Sequence, residues 1–217
     1  REEAIHRREG VGGAPEEGRR GGRGTTLSPG KIPWTRPASS CTTGVVSLYV
    51  VDVEADGPIP GKYSMVCFGA VLVEPGLNRT FYGTTRPISD VWLPEALAIS
   101  GITREQHLTH DEPGETMAAF ARWIAETTRG KPVFFSDNLA FDWQYVNWYF
   151  HTYLSENPFG WSGRRIGDLY CGMVKDAYAG WKHLRKTSHD HHPVNDARGN
   201  AEALLALVDM GLKLQIR

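Results

Sequence analysis

Cysteine is scarce in this sequence. The 217 residues include three cysteines, Cys41, Cys67 and Cys171. An odd number of scattered cysteines predicts neither a disulfide framework nor a zinc motif. Unpaired thiols suit a reducing compartment, so we expect a cytoplasmic protein.

The sequence also lacks an excess of one charge and a long apolar run. Its formal net charge is −1, and a chain without a basic field can bind nucleic acid only through a local patch. No apolar run approaches the roughly 20 residues of a membrane span, and the N-terminus lacks the apolar core of a secretory signal. We therefore expect no membrane partner.

Residues 1–44 differ in composition from the rest of the chain. They are rich in Gly, Arg, Pro and Ser and have almost no apolar periodicity. Such a segment cannot bury enough apolar surface to offset the entropy lost on ordering. We predict a disordered low-complexity extension at 1–44 and a folded domain at 45–217. An arginine-rich tail that binds nucleic acid is the alternative.

The folded part predicts an α/β domain. Apolar and β-branched runs predict strands at 45–55, 64–74, 80–88 and 131–137, with a hairpin turn at 74–78. Helical periodicity or helix-forming composition predicts helices at 114–127, 138–154, 168–178 and from an N-cap at Asn195 onwards. Strands followed by alternating helices and strands predict one mixed sheet flanked by helices.

The stretch LYVVDVEADG places Asp52 and Glu54 at the end of the first predicted strand. Side chains alternate along a strand, so these two acids point the same way, with Cα atoms roughly 6.5–7 Å apart. Two carboxylates at that distance on a dry element resist ionising together unless a cation lies between them. The alternative to a metal site is a strand whose end is exposed to solvent, where both acids are simply hydrated.

Two further acids come at helix starts. Asp142 lies between Phe141 and Trp143, and Asp196 follows HHPVN. An acid in a first helical turn can instead be there because it interacts favourably with the positive end of the helix dipole. If the four acids converge at the end of the first strand, they form a cage of oxygen ligands suited to Mg²⁺ or Mn²⁺.

A group of histidines precedes Asp196: His189, His191 and His192. A histidine beside a carboxylate-held metal site is well placed as a general base, since its ordinary pKa is near neutrality. A zinc site is the alternative, although the spacing lacks a second Cys/His pair.

Three short motifs, taken in order, resemble those of the DEDDh exonuclease superfamily. The superfamily pattern is D-x-E, then Asn-x-x-Phe-Asp, then His-x₄-Asp; the matching residues are Asp52 and Glu54, then Asn138, Phe141 and Asp142, then His191 and Asp196. The resemblance covers about residues 47–207 and includes LPEALAISGITREQ, which is similar to a helical segment of the superfamily. One departure is that Ala55 and Asp56 precede Gly57, where the superfamily has Thr and a small residue.

The resemblance implies an RNase H-like fold, with a central mixed five-stranded sheet flanked by helices. It implies two Mg²⁺ or Mn²⁺ ions held by the four acids, with His191 as general base. The implied reaction is 3′–5′ hydrolysis of single-stranded nucleic acid that releases nucleoside 5′-monophosphates. RNA is favoured because HHPVNDARGNAEALL is similar to a bacterial branch of 3′–5′ exoribonuclease-like proteins. The expected partners are RNA or DNA 3′ ends, and a homodimer is left open.

Contacts with the terminal nucleotides are expected from residues in or next to the motifs and from two residues of the second predicted strand. They are Ala55, Met65, Phe68, Asn138, Phe141, Trp143 and Tyr145, the aromatic ones because stacking tolerates any base. Trp148 and Phe150 are expected in the core. The alternatives are a DNA-proofreading type of exonuclease, a nucleic-acid-binding module without activity, and a zinc-dependent hydrolase.

Overall fold

The computed structural model describes residues 45–214, so the predicted disordered extension at 1–44 lies outside the described residues. The strands are β1 (Val46–Ala55), β2 (Met65–Leu72), β3 (Thr80–Thr84), β4 (Lys131–Ser136) and β5 (Gly163–Arg165). The helices are α1 (Pro94–Ile99), α2 (Arg104–His107), α3 (Pro113–Thr127), α4 (Leu139–Leu154), α5 (Ile166–Val174) and α6 (Pro193–Asp209). Among these helices, none has the length and apolar composition needed to cross a membrane.

The strands form one mixed sheet in the order β3-β2-β1-β4-β5. The pairs β1–β2 and β2–β3 are antiparallel, whereas β1–β4 and β4–β5 are parallel. The expected α/β fold with a mixed five-stranded sheet is thus confirmed. Sequence periodicity did not predict β5, because its three residues are too few to show an alternating pattern.

Alternation along β1 divides the core between the two faces of the sheet. Tyr49, Val51 and Val53 pack with apolar residues of α3 and α4. Leu48 and Val50 pack with apolar residues of α6 on the opposite face. Because side chains alternate with period two, the two acids of β1 lie on the α6 side.

Two helix boundaries differ from the prediction. The predicted N-cap Asn195 lies inside the first turn of α6, which begins at Pro193 with His192 as its cap. Proline suits the first helical position, since its φ is preset and its missing N–H would have no partner there. Helix α5 ends at Val174 rather than near residue 178, because Lys175 takes the left-handed conformation with φ 60°.

Candidate active site

The four predicted acids meet where β1 ends and where α4 and α6 begin. Asp52, Glu54 and Asp196 each place a carboxylate oxygen within 4.8 Å of the others. Asp142 lies beside them, because its Oδ1 accepts a hydrogen bond of 3.1 Å from the backbone N–H of Val53. The structure therefore brings together acids from three separate elements, whose role as metal ligands stays a prediction.

A glycine in β2 lets α6 approach this closely. Gly69 is the β-sheet partner of Asp52, and a Cβ at Gly69 would lie 2.4 Å from the backbone N of Val194. Any side chain there would push the start of α6 away from the sheet. The first turn of α6 therefore packs directly against the backbone of β2 at Gly69, and this packing places Asp196 next to Asp52.

Burial and mutual repulsion raise the pKa values of Asp52, Glu54 and Asp142. Burial raises the pKa of Asp52, and the charges of Asp142 and Glu54 raise it further. Burial, with the charge of Asp196 added, raises the pKa of Glu54 to about 7. Burial also raises the pKa of Asp142, whose Oδ2 is buried without a hydrogen-bond partner. An orphaned carboxylate oxygen among crowded acids fits a bound divalent cation.

Arg185 completes the electrostatics of the site, and sequence reasoning missed it. Its Nη2 donates to Oδ1 of Asp196 at 2.9 Å, and its side chain is 6% exposed. It runs so close to α6 that a Cβ on Gly199 would lie 2.5 Å from its Nε. Its positive charge lowers the pKa of Asp52, opposing the larger effect of burial. In the sequence it is one basic residue in a polar loop, and no local signal distinguishes it.

The three histidines before α6 occupy different positions. His191 is exposed, and its Nδ1 lies 3.6 Å from Oε1 of Glu54, outside hydrogen-bond distance. His189 Nδ1 lies 2.8 Å from Oδ2 of Asp196. His192 turns elsewhere and stacks on Tyr82, with ring centroids 5.2 Å apart. His191 is therefore near the acids with its ring nitrogen free to accept a proton.

Asp56, the departure from the superfamily pattern, is a structural residue. It is fully buried, and its Oδ1 accepts a 2.5 Å hydrogen bond from the Ser64 N–H while its Oδ2 accepts a 3.1 Å bond from Arg104 Nη1. Its carbonyl oxygen accepts from the Leu93 N–H. Asp56 thus joins the end of β1 to the segment of α1 and α2 that the sequence analysis expected beside the site.

A search for family models finds no match to this chain. A curated relative, the 3′–5′ DNA exonuclease Cap18 of Escherichia coli, is 38% identical in an alignment of 173 positions that covers 73% of this chain and 89% of that protein. The chain belongs to the DEDDh exonuclease superfamily. Membership implies dependence on a divalent metal, which agrees with the crowded acids of this site.

Solved structures of exonucleases share the fold. A 3′-exonuclease solved for its recognition of a histone mRNA stem-loop superimposes with a TM-score of 0.64 at 16% identity, covering 78% of this chain and 66% of that one. Exonuclease I of E. coli with a dT13 oligonucleotide gives a TM-score of 0.60 at 17% identity, covering 76% and 41%. The chain thus spans under two thirds of either solved chain.

Four of the substrate contacts expected of this exonuclease are instead core residues. Met65, Phe68 and Tyr145 have no exposed surface, and Ala55 is 5% exposed. Phe68 packs edge-on against Phe120, and a ring with no exposed face cannot stack on a base. The structure therefore does not support side-chain contacts to substrate from these four. Alternation places Ala55 on the face of β1 opposite Glu54, whereas the order of the motifs does not show which residues of β2 and α4 face the core.

The other three expected contacts of the exonuclease remain accessible. Phe141 and Trp143 are half-buried and Asn138 is exposed. Asn138, the N-cap of the helix α4 that carries Asp142, borders an open groove of about 670 Å³. The remaining groove residues are Asp137, Arg165, Ala179, Gly180, Trp181 and Lys182.

Without metal, the exonuclease is expected to lose stability as pH rises. The pKa of Glu54 is raised from 4.5 to about 7, so between these values the folded state binds more protons than the unfolded state and the free energy of unfolding falls with pH. The loss is complete above about pH 7 and amounts to about 3 kcal/mol for Glu54 alone. Asp52 and Asp142 act in the same direction.

Thermal melts at about pH 5 and about pH 8, in a chelator and in millimolar Mg²⁺, measure this pH-dependent loss of stability. Mg²⁺ should raise the melting temperature clearly more at the higher pH, where Glu54 is ionised. The isosteric variant Glu54→Gln should flatten part of the pH dependence in the chelator. Equal shifts by Mg²⁺ at both pH values would contradict the electrostatic account.

Proposed function

We propose that this chain is a metal-dependent 3′–5′ exonuclease that removes nucleoside 5′-monophosphates from the 3′ ends of single-stranded nucleic acid. The observation that carries the proposal is the convergence of carboxylate oxygens from Asp52, Glu54 and Asp196 within 4.8 Å. The buried, unpartnered Oδ2 of Asp142 beside them adds a fourth oxygen. Membership of an exonuclease superfamily supports the same reaction.

The four acids would hold two Mg²⁺ or Mn²⁺ ions, since these ions prefer oxygen ligands. When bound, such ions stabilise the charge on the attacking and leaving oxygens of an in-line displacement at phosphorus. Hydrogen bonds from the chain hold two of these carboxylates in position. The Val53 N–H engages Oδ1 of Asp142 and leaves Oδ2 free, and Arg185 engages Oδ1 of Asp196.

His191 would accept the proton of the attacking water at Nδ1. That nitrogen lies 3.6 Å from Oε1 of Glu54 and makes no hydrogen bond, so it can face a water held near the acids. Its backbone N–H donates to Oδ2 of Asp196 at 3.1 Å, which anchors the loop while the ring stays movable. A positioned base of this kind contributes a large part of a hydrolytic rate.

The groove beside Asn138 would guide the strand upstream of the scissile bond. Lys182 Nζ pairs with Asp137 at 2.9 Å, and Arg165 Nη1 pairs with Asp168 at 2.8 Å. Exposed pairs of this kind are weak, so a phosphodiester can replace the acids as partner of each cation. Such contacts recognise the backbone and carry no base sequence.

DNA is proposed as the preferred substrate. The relative that is 38% identical is named a DNA exonuclease, and this likeness spans most of both chains. The prediction from the sequence favoured RNA on a weaker resemblance, and no group in the described residues has been assigned to a 2′-hydroxyl. RNA is therefore the second candidate.

The cytoplasmic location and the homodimer stay predictions. The two cysteines in the described residues, Cys67 and Cys171, are free thiols. Cys67 is buried, and burial raises the pKa of its thiol to about 12. An inert buried thiol is compatible with a reducing compartment.

Matched DNA and RNA oligonucleotides labelled at the 5′ end test the proposal in Mg²⁺. We expect a ladder that shortens from the 3′ end, release of nucleoside 5′-monophosphates, and faster loss of the DNA. A circular single strand of the same composition is the control and should stay intact. Cleavage of the circle would overturn the exonuclease assignment, and faster loss of the RNA would restore the prediction made from the sequence.

A further inference from the structure

A second group of metal-ligating side chains lies on the outer side of the acid cage. It consists of His189, His191 and Asp196, each with one donor atom within 4.8 Å of the others. The two imidazole rings are 4.3 Å apart between centroids, and both side chains are 47% exposed. His189 has no part in the hydrolysis proposed above, so its position at this cluster calls for a separate explanation.

The donor atoms of this cluster differ in kind from those of the cage. Two imidazole nitrogens and one carboxylate oxygen are ligands typical of Zn²⁺, which protein sites hold with three or four such groups. Mg²⁺ takes oxygen ligands and rarely uses imidazole. We propose that His189, His191 and Asp196 form a Zn²⁺ site that shares Asp196 with the catalytic cage.

The loop before α6 already presents both rings to Asp196. Asp190, between the two histidines, accepts hydrogen bonds from Asn195 Nδ2 at 2.8 Å and from the His192 N–H at 3.0 Å. His191 takes the left-handed conformation with φ 60°, which turns the chain between the two rings. The backbone of this loop is therefore already held in place before a metal binds.

The remaining adjustment is small. Ligand atoms of a tetrahedral zinc ion lie about 3.3 Å apart, given zinc–nitrogen bonds of about 2.0–2.1 Å. His189 Nδ1 already lies 2.8 Å from Oδ2 of Asp196, so rotation of two exposed rings can bring the nitrogens into range. Glu54 Oε1, at 3.6 Å from His191 Nδ1, is near enough to serve as a fourth ligand.

Zinc bound here would inhibit the enzyme. It would occupy the ring of His191, the group assigned to accept the proton, and an oxygen of Asp196 that the cage uses. Added Mg²⁺ would relieve the inhibition poorly, because it cannot replace zinc on imidazole nitrogen. The inhibition rests on the proposed exonuclease function, whereas zinc binding by itself does not.

Binding is tested on the metal-free full chain by titration with Zn²⁺ in millimolar Mg²⁺, and by the visible absorption of Co²⁺ as a probe of nitrogen ligation. The variants are His189→Ala and, as a matched control from the same loop, His192→Ala, whose ring stacks on Tyr82. We expect His189→Ala to weaken zinc binding by about 10- to 100-fold or more and to remove the Co²⁺ bands. His192→Ala should retain both.

Activity provides the second arm of the test. In His189→Ala, the zinc concentration that halves the variant's own Mg²⁺-dependent turnover should rise by about tenfold or more. Unchanged zinc affinity or unchanged zinc inhibition in His189→Ala would overturn the site, as would an equal loss in His192→Ala. A wild-type chain inactive on every nucleic acid would refute the exonuclease function instead, with the zinc titration still readable.

Discussion

Replacing Asp142 by asparagine is expected to reduce exonuclease turnover by about 10³-fold or more, since the metal site supplies several kcal/mol of transition-state stabilisation. The Asp142→Asn variant keeps an oxygen for the Val53 N–H and loses the negative charge that the orphaned Oδ2 shares. An amide nitrogen would then face the ions that the carboxylate is expected to hold.

The same variant should leave the metal-free protein as stable as the wild type, or more stable. Burial raises the pKa of Asp142, which means that ionising this group in the fold is unfavourable, and asparagine removes that cost. Turnover, metal-free melting temperature and Mg²⁺ affinity are the three measurements. Asp209→Asn, at an exposed position at the end of α6, is the control and should change none of them. Wild-type turnover in Asp142→Asn would remove this acid from the site.

Replacing His191 by alanine is expected to reduce turnover by roughly 10²- to 10⁴-fold, the usual contribution of a positioned general base. Mg²⁺ affinity should stay nearly unchanged, because oxygen ligands hold that ion. The acid limb of the pH–rate profile should disappear, since it reports protonation of the base in the free enzyme.

His192→Ala is the matched control for this variant, because the ring of His192 stacks on Tyr82 away from the acids. It should keep both the rate and the acid limb. In Mg²⁺ without zinc, His189→Ala should keep the acid limb and lose far less turnover than His191→Ala, because its ring contacts Asp196 but is not the proposed base. Equal losses in all three variants, or a loss of Mg²⁺ affinity in His191→Ala, would show that the histidines act together as ligands rather than one of them as a base.

The sequence by itself determined the elements that carry the site. Alternation along 46–55 places Asp52 and Glu54 on one face of β1, because period-two geometry is a property of the extended backbone. Helical patterns at 138–154 and from Asn195 onwards place Asp142 and Asp196 in first turns, and the structure has both there. Those relations involve residues close together in the chain, so local pattern is enough to predict them. The order of the motifs then indicated the superfamily.

The tertiary structure alone decided which neighbours these residues have. Arg185 reaches Asp196 across 11 positions, and Arg104 reaches Asp56 across 48. Both contacts depend on how separate elements pack, which no local pattern records. The same holds for the bare backbone of Gly69 under α6.

Burial of the expected stacking residues shows most clearly what only the tertiary structure decides. Tyr145 closely follows a catalytic motif in the chain and Phe68 lies on the strand after the first motif, yet both lie in the core between the sheet and the helices α3 and α4. An aromatic side chain suits a base-stacking site and a close-packed interior equally well. Only the packing of α3 and α4 on the sheet decides between these two environments, because that packing removes the aromatic ring from solvent.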